Sequence, residues 1–126
     1  MTVVVVEDNP RVADLYVDAL ADLGHAALAF WDGKSFLGAL PALSAHLVIL
    51  DRQLPGIDGL EIARQMRTVR PDVPILMISG NPPTQACAAV VDRVLGKPCT
   101  MDQFADAVTA LLARAGRGAG MIPAER

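Results

Sequence analysis

The sequence predicts a doubly wound α/β domain: one five-stranded parallel sheet with helices on both faces. Three observations carry this. Short β-branched runs alternate with helix-patterned stretches along the whole chain, which is the sequence form of repeated strand–helix crossovers. The strand runs are apolar throughout instead of alternating, as expected for strands covered on both sides. Finally, 126 residues at 52% apolar content suffice for one packed core and leave no room for a second.

The elements follow in order. Val3–Val6 is the first strand. Asn9 and Pro10 then supply an N-cap and a proline at the first helical position. Val12, Leu15, Tyr16, Ala19, Leu20 and Leu23 recur at helical spacing until Gly24. Ala26–Phe30 is a weaker second strand, since alanine is a poor strand former. Gly33–Leu40 is a short helix interrupted at Pro41, and Leu47–Leu50 is the third strand. Leu60–Val69 is a helix closed by Arg70-Pro71, and Pro74–Ile78 is the fourth strand, ending in Ser79-Gly80. The stretch from Asn81 to Asp92 is the least regular: after Pro82-Pro83 only a stub of helix fits before the fifth strand, Arg93–Leu95. Thr100 and Gln103 form a capping box for the last helix, whose apolar face is Met101, Phe104, Val108 and Leu111. The domain is expected to end near residue 115, with 116–126 a flexible, Gly-rich tail.

Composition narrows the function classes. No apolar run exceeds six residues, so no membrane span is expected. Met1-Thr2 is followed by four valines and then acids, without a basic n-region, so no signal peptide is expected. Cys87 and Cys99 lack metal-ligand spacing and read as reduced thiols of a cytoplasmic protein. The net charge is −3 and basic residues do not cluster, which argues against direct nucleic-acid binding.

Ligands of open parallel sheets bind beyond the carboxyl ends of the strands. Glu7, Asp8, Asp51, Ser79 and Lys97 each fall at or just past a predicted strand end. Three carboxylates about 5 Å apart repel by about 3 kcal/mol per pair at an effective dielectric near ~20. A cation offsets that repulsion, and oxygen ligands at a half-open site suit Mg²⁺. An aspartate there can also act as a nucleophile toward phosphorus, with Lys97 as a point charge and Ser79 as a hydroxyl facing a new phosphoryl oxygen.

Taken singly, each residue has a plainer explanation. Asp51 is a strand-end acid, and Glu7-Asp8 favour the following helix N-terminus. Ser79 is a common strand-end residue and Lys97 a surface lysine, while Leu54–Gly59 is a turn. It is their order that carries more. Glu7-Asp8, Asp51, Leu54-Pro55-Gly56-Ile57-Asp58-Gly59, Ser79-Gly80 and Lys97-Pro98 together resemble the response-regulator receiver domain, from the first strand to about Ala115.

The resemblance implies a flavodoxin-like strand order 2-1-3-4-5 and a cis Lys97-Pro98 bond. It implies that Asp51 accepts a phosphoryl group from a histidine kinase or histidine phosphotransfer protein. Mg²⁺ would be held by Asp8, Asp51 and the backbone carbonyl of Gln53, with Glu7 reaching it directly or through water. Lys97 would pair with the acceptor or its phosphoryl group, and Gln53 and Asn81 would tune dephosphorylation. The expected protein is a stand-alone switch, a monomer or weak dimer, that signals by changing its affinity for a protein target. It would catalyse only its own phosphorylation and dephosphorylation.

Two departures from the family pattern open alternatives. Val94 stands where members often carry a switching aromatic, and the Ser79–Lys97 interval is short, which shrinks the fourth helix. A non-switching interaction module and a phosphate shuttle or sink are therefore the competing readings. A phosphatase resembling the haloacid dehalogenases is disfavoured, because Gln53 stands where those enzymes need a second acid. His25 and His46 are read as structural or exposed, Trp31 as packing, and the cysteines as small fillers.

Overall fold

The computed structural model describes residues 1–80 and 85–121, with side chains through Arg114. The elements are β1 (Thr2–Val6), α1 (Pro10–Asp22), β2 (Ala26–Phe30), α2 (Gly33–Ala39), β3 (Leu47–Asp51), α3 (Gly59–Val69), β4 (Ile75–Ser79), α4 (Gln85–Val90), β5 (Arg93–Gly96) and α5 (Met101–Met121). The five strands form one parallel sheet in the order β2-β1-β3-β4-β5.

Side chains of a strand alternate between faces, and here each face builds its own core. Val4, Val6, Val48, Leu50, Ile75 and Met77 pack with Phe36, Ile62, Met66 and Cys87 on the α2/α3/α4 side. Val3, Val5, Leu47, Ile49, Leu76 and Ile78 pack with Tyr16, Leu20, Phe104, Val108 and Leu111 on the α1/α5 side. Two-sided burial is why the strand runs carry no polar alternation.

The helix starts are set locally. The Asn9 side chain accepts from the N–H groups of Arg11 and Val12, at 3.0 and 3.4 Å, ahead of Pro10. Thr100 and Gln103 close their capping box in both directions, at 3.0 and 2.9 Å. Pro41 ends α2 in a 3-10 turn, Leu40–Ala42. The Lys97-Pro98 peptide is cis.

Several expectations need correction. α5 is helical through Met121, past Gly116, where a flexible tail was expected to begin. Each added helical residue closes another backbone hydrogen bond, and the good helix formers Ala115, Arg117 and Ala119 are interleaved with the glycines. Residues 122–126, like Asn81, Pro82 and Pro83, lie outside the described residues. Trp31 does not pack: it is 63% exposed, directly after the edge strand β2. Leu15 and Met101, assigned to apolar helix faces, are 57% and 44% exposed. Both belong to the rim of a groove described below.

Candidate phosphoacceptor and metal site

Strand register brings the acids together. β1 and β3 pair Val5 with Ile49 and Val6 with Leu50, so the next residues along, Glu7 and Asp51, stand side by side. Both continue the parity of Val5 and Ile49, toward the α1/α5 face. Asp8 follows in the turn into α1. One carboxylate oxygen from each of the three lies within 4.8 Å of the others. Glu7 and Asp51 are buried, at 2% and 4% exposure, whereas Asp8 is open to solvent. The cluster is therefore a half-open nest of anionic oxygens.

Asp51 is held at both oxygens. Lys97 Nζ donates to Oδ2 at 2.9 Å, and the Gln53 backbone N–H donates to Oδ1 at 3.0 Å. Lys97 is itself positioned by its backbone N–H, which donates to the Ser79 carbonyl at 2.8 Å. Glu7 is less well satisfied. Its Oε2 accepts from the Asn9 N–H at 3.1 Å, but its Oε1 is buried without a hydrogen-bond partner. Burial pushes the Glu7 carboxyl up to about 7; the Asn9 N–H opposes this, and the charge of Asp51 adds to it.

The neighbouring groups complete the pocket. Ser79 is buried at the last position of β4, one residue beyond Ile78, which pairs with Asp51. Gln53 reaches across from the β3 loop to the β4 loop, where its Oε1 accepts from the Gly80 N–H at 3.4 Å. The Leu54–Gly59 turn is shaped by backbone needs. Gly56 has φ +83°, and a β-carbon on Gly59 would collide with the Asp51 carbonyl oxygen and the Arg52 backbone. Beside Lys97, between α1 and α5, runs an apolar groove of about 470 Å³ lined by Val12, Leu15, Tyr16, Pro98, Cys99 and Met101.

The donor set fits a hard divalent cation. A buried carboxylate oxygen without a partner, two further acids within ligand reach and an open side toward water suit Mg²⁺, which keeps several of its own waters. All three acids named from the sequence converge here, as do Lys97 and the Gln53 backbone. The Gln53 N–H donates to Asp51 Oδ1 and so ties the loop after β3 to the acid.

Two residues escaped the sequence reading. Tyr16 lies under the site: its hydroxyl is pushed above its ordinary range by burial first, then by the charges of Cys99, Glu7 and Asp51. Its ring stacks on Phe104 at 4.8 Å. Arg52, adjacent to Asp51, sends its guanidinium to the opposite face of the sheet, where Nη1 donates to Cys87 Sγ at 2.9 Å. The period-two alternation along β3 was the available signal for that orientation.

Comparison with known proteins agrees with this architecture. Residues 3–109 match the family model of the response regulator receiver domain. The transcriptional regulatory protein TcrA of Mycobacterium tuberculosis is 33% identical over 102 residues, which is 81% of this chain. This chain spans 38% of the length of that relative. A CheY-like receiver domain from Methanospirillum hungatei superposes with a TM-score of 0.86 at 17% identity, covering 93% of this chain and 97% of that one. The response regulator TrrA of Thermotoga maritima, solved in complex with Mg²⁺ and beryllofluoride, gives a TM-score of 0.82 at 26% identity. That match covers 87% of this chain and 97% of the Thermotoga chain. The chain belongs to the response regulator receiver domain family of two-component systems. Among the described residues, no helix is long and apolar enough to cross a membrane.

Proposed function

We propose that Asp51 is the phosphoacceptor and that the domain signals through its phosphorylation state. The observation that carries this is the pairing of a buried, doubly hydrogen-bonded Asp51 with the partnerless Glu7 oxygen in one carboxylate nest. The donor is a phosphohistidine on a histidine kinase or histidine phosphotransfer protein. An Asp51 carboxylate oxygen attacks phosphorus, the P–N bond breaks, and its electron pair leaves with the imidazole. Asp8, Asp51 and the Gln53 carbonyl would hold Mg²⁺, with Glu7 direct or through water. The ion supplies charge compensation at the transferring oxygens.

The chain's own residues do the rest. Lys97 keeps one Asp51 oxygen oriented beforehand and offers its ammonium to the added negative charge. The Gln53 N–H fixes the other oxygen. Ser79 is the hydroxyl assigned to a phosphoryl oxygen. The apolar groove beside Lys97, with exposed Leu15 and Met101, supports a protein donor over a small one. The setting is cytoplasmic, the usual location of receiver domains.

The test is incubation with acetyl phosphate and Mg²⁺ followed by intact-mass measurement. One acid-labile phosphoryl group is expected on the wild type and none on Asp51→Asn. A wild type that remains unmodified would defeat the assignment. Val94 packs against the α2/α3/α4 core and leaves no aromatic to rotate, which favours a second reading as a non-switching module. In that case the Asp51 adduct would form without altering any surface outside the site.

A further inference from the structure

Asp51 and Arg52 are consecutive, and β alternation sends their side chains to opposite faces of the sheet. Asp51 enters the carboxylate nest. Arg52 crosses to the α3/α4 face, where its guanidinium meets the Cys87 sulfur at 2.9 Å and the Asp58 carboxylate at 3.8 Å. The Gln53 N–H to Asp51 Oδ1 bond closes a small ring around Arg52, so the state of that carboxylate sets the backbone on both sides of the arginine. Arg52 is also a backbone junction: its N–H donates to Ile78 O at 3.0 Å, and its carbonyl accepts from Gly59 at 2.8 Å.

The receiving element is fixed by a charged clamp at its C-terminal end. Six residues of α4 are described, Gln85–Val90, and a stretch of that length depends on packing for its stability. Its C-terminal end is clamped: Arg67 Nε donates to the Val90 carbonyl at 2.8 Å while Nη2 is paired to Asp92 at 2.5 Å. Toward the described start of the helix, Arg52 donates to the Cys87 thiol, a weak acceptor for a charged donor. The Asp58 ion pair is long and more than half exposed on the carboxylate side, so it anchors the arginine loosely.

We propose that Arg52 is the positioning residue that couples the Asp51 loop to α4, which pivots about its Arg67-clamped end. A change at the Asp51 carboxylate shifts the Arg52 backbone. The guanidinium then releases or redirects its hold on Cys87, and the Gln85–Cys87 part of α4 moves most. This supplies a route across the sheet that needs no aromatic at Val94. The proposal rests on Asp51 being the acceptor.

The experiment is amide NMR of the whole chain with and without Mg²⁺ and beryllofluoride, with fluorine NMR reporting the bound adduct. Wild type is expected to shift at Asp51–Gln53 and at Gln85–Cys87, with the effect declining toward Val90. In Arg52→Met the adduct and the Asp51–Gln53 shifts persist, while the α4 shifts fall to about a third or less. Arg52→Lys, which keeps a cation, recovers part of the α4 response; a purely structural role would not separate the two. Cys87→Ala keeps Arg52 but removes its sulfur partner, and is expected to lose the same α4 shifts. Undiminished α4 shifts in Arg52→Met or Cys87→Ala, or a wild-type adduct that leaves α4 unmoved, would overturn the coupling. Absence of any adduct on the wild type would instead overturn the acceptor assignment.

Discussion

Replacing Glu7 with glutamine isolates what the carboxylate nest costs the metal-free fold. The Glu7 carboxyl holds its proton to about 7 in the fold, against 4.5 for an ordinary glutamate. Between those values the native state binds more protons than the unfolded chain, so this group's contribution to stability declines as pH rises through that window. At about 1.4 kcal/mol per pH unit, the wild type is expected to trail Glu7→Gln by about 3 kcal/mol near pH ~8. The gap shrinks to under about 1 kcal/mol near pH ~5, where the native carboxyl is largely neutral. Glutamine keeps an acceptor for the Asn9 N–H and places an N–H donor where Glu7 Oε1 has no partner. The assay is urea unfolding of both proteins in EDTA across that range; their difference cancels the shared groups that do not interact with Glu7. Mg²⁺ narrows the gap near pH ~8, because the wild type keeps the full donor set and gains more stability by mass action than the variant. Parallel pH profiles for the two proteins, with or without Mg²⁺, would refute the account of the nest as a strained anion cluster awaiting a cation.

Other residues give independent checks. Lys97→Ala leaves the buried Asp51 carboxylate without its ammonium and is expected to cost about 1–2 kcal/mol, since Lys97 itself is partly exposed. Chemical denaturation in EDTA measures it, and a loss below about 0.3 kcal/mol would contradict the pairing. Asp92→Ala removes the acceptor shared by Arg67, Arg114 and the Ile75 N–H, and should cost about 2–3 kcal/mol by urea melt. Asp92→Asn, which can still accept from Ile75, is expected to lose less. Gly59→Ala forces a β-carbon into the Asp51 carbonyl and should lower both thermal stability and Mg²⁺ affinity, whereas Gly38→Ala, with open space around it, should not. Thr100→Ala breaks one half of the capping box and should cost about 1 kcal/mol.

The site was legible in the sequence because its chemistry sits where strands end. An apolar run that stops at an acid places that acid at the sheet edge, and Val3–Val6 with Leu47–Leu50 did this twice. Local chemistry was equally readable at Asn9-Pro10 and Thr100–Gln103, where caps depend on neighbours in sequence. What could not be read were consequences of packing between distant elements. Arg52 looks like a solvated loop residue until α4 is known to lie over it. Arg67 and Asp92 join α3 to the start of β5 across twenty-five positions of chain. Trp31 was misjudged because hydrophobicity alone does not reveal that β2 lies at the edge of the sheet. The α5 boundary was missed because glycines are poor guides once a helix is already propagating.

The reactive edge is built on β1 and β3, which are flanked on both sides by other strands, while the described part of α4 spans fewer than two turns. Amide exchange should accordingly be slowest at Val4–Val6 and Val48–Leu50 and fast along Gln85–Ala89. Such a gradient sets a rigid frame for the acids beside a helix that answers readily to a change in them.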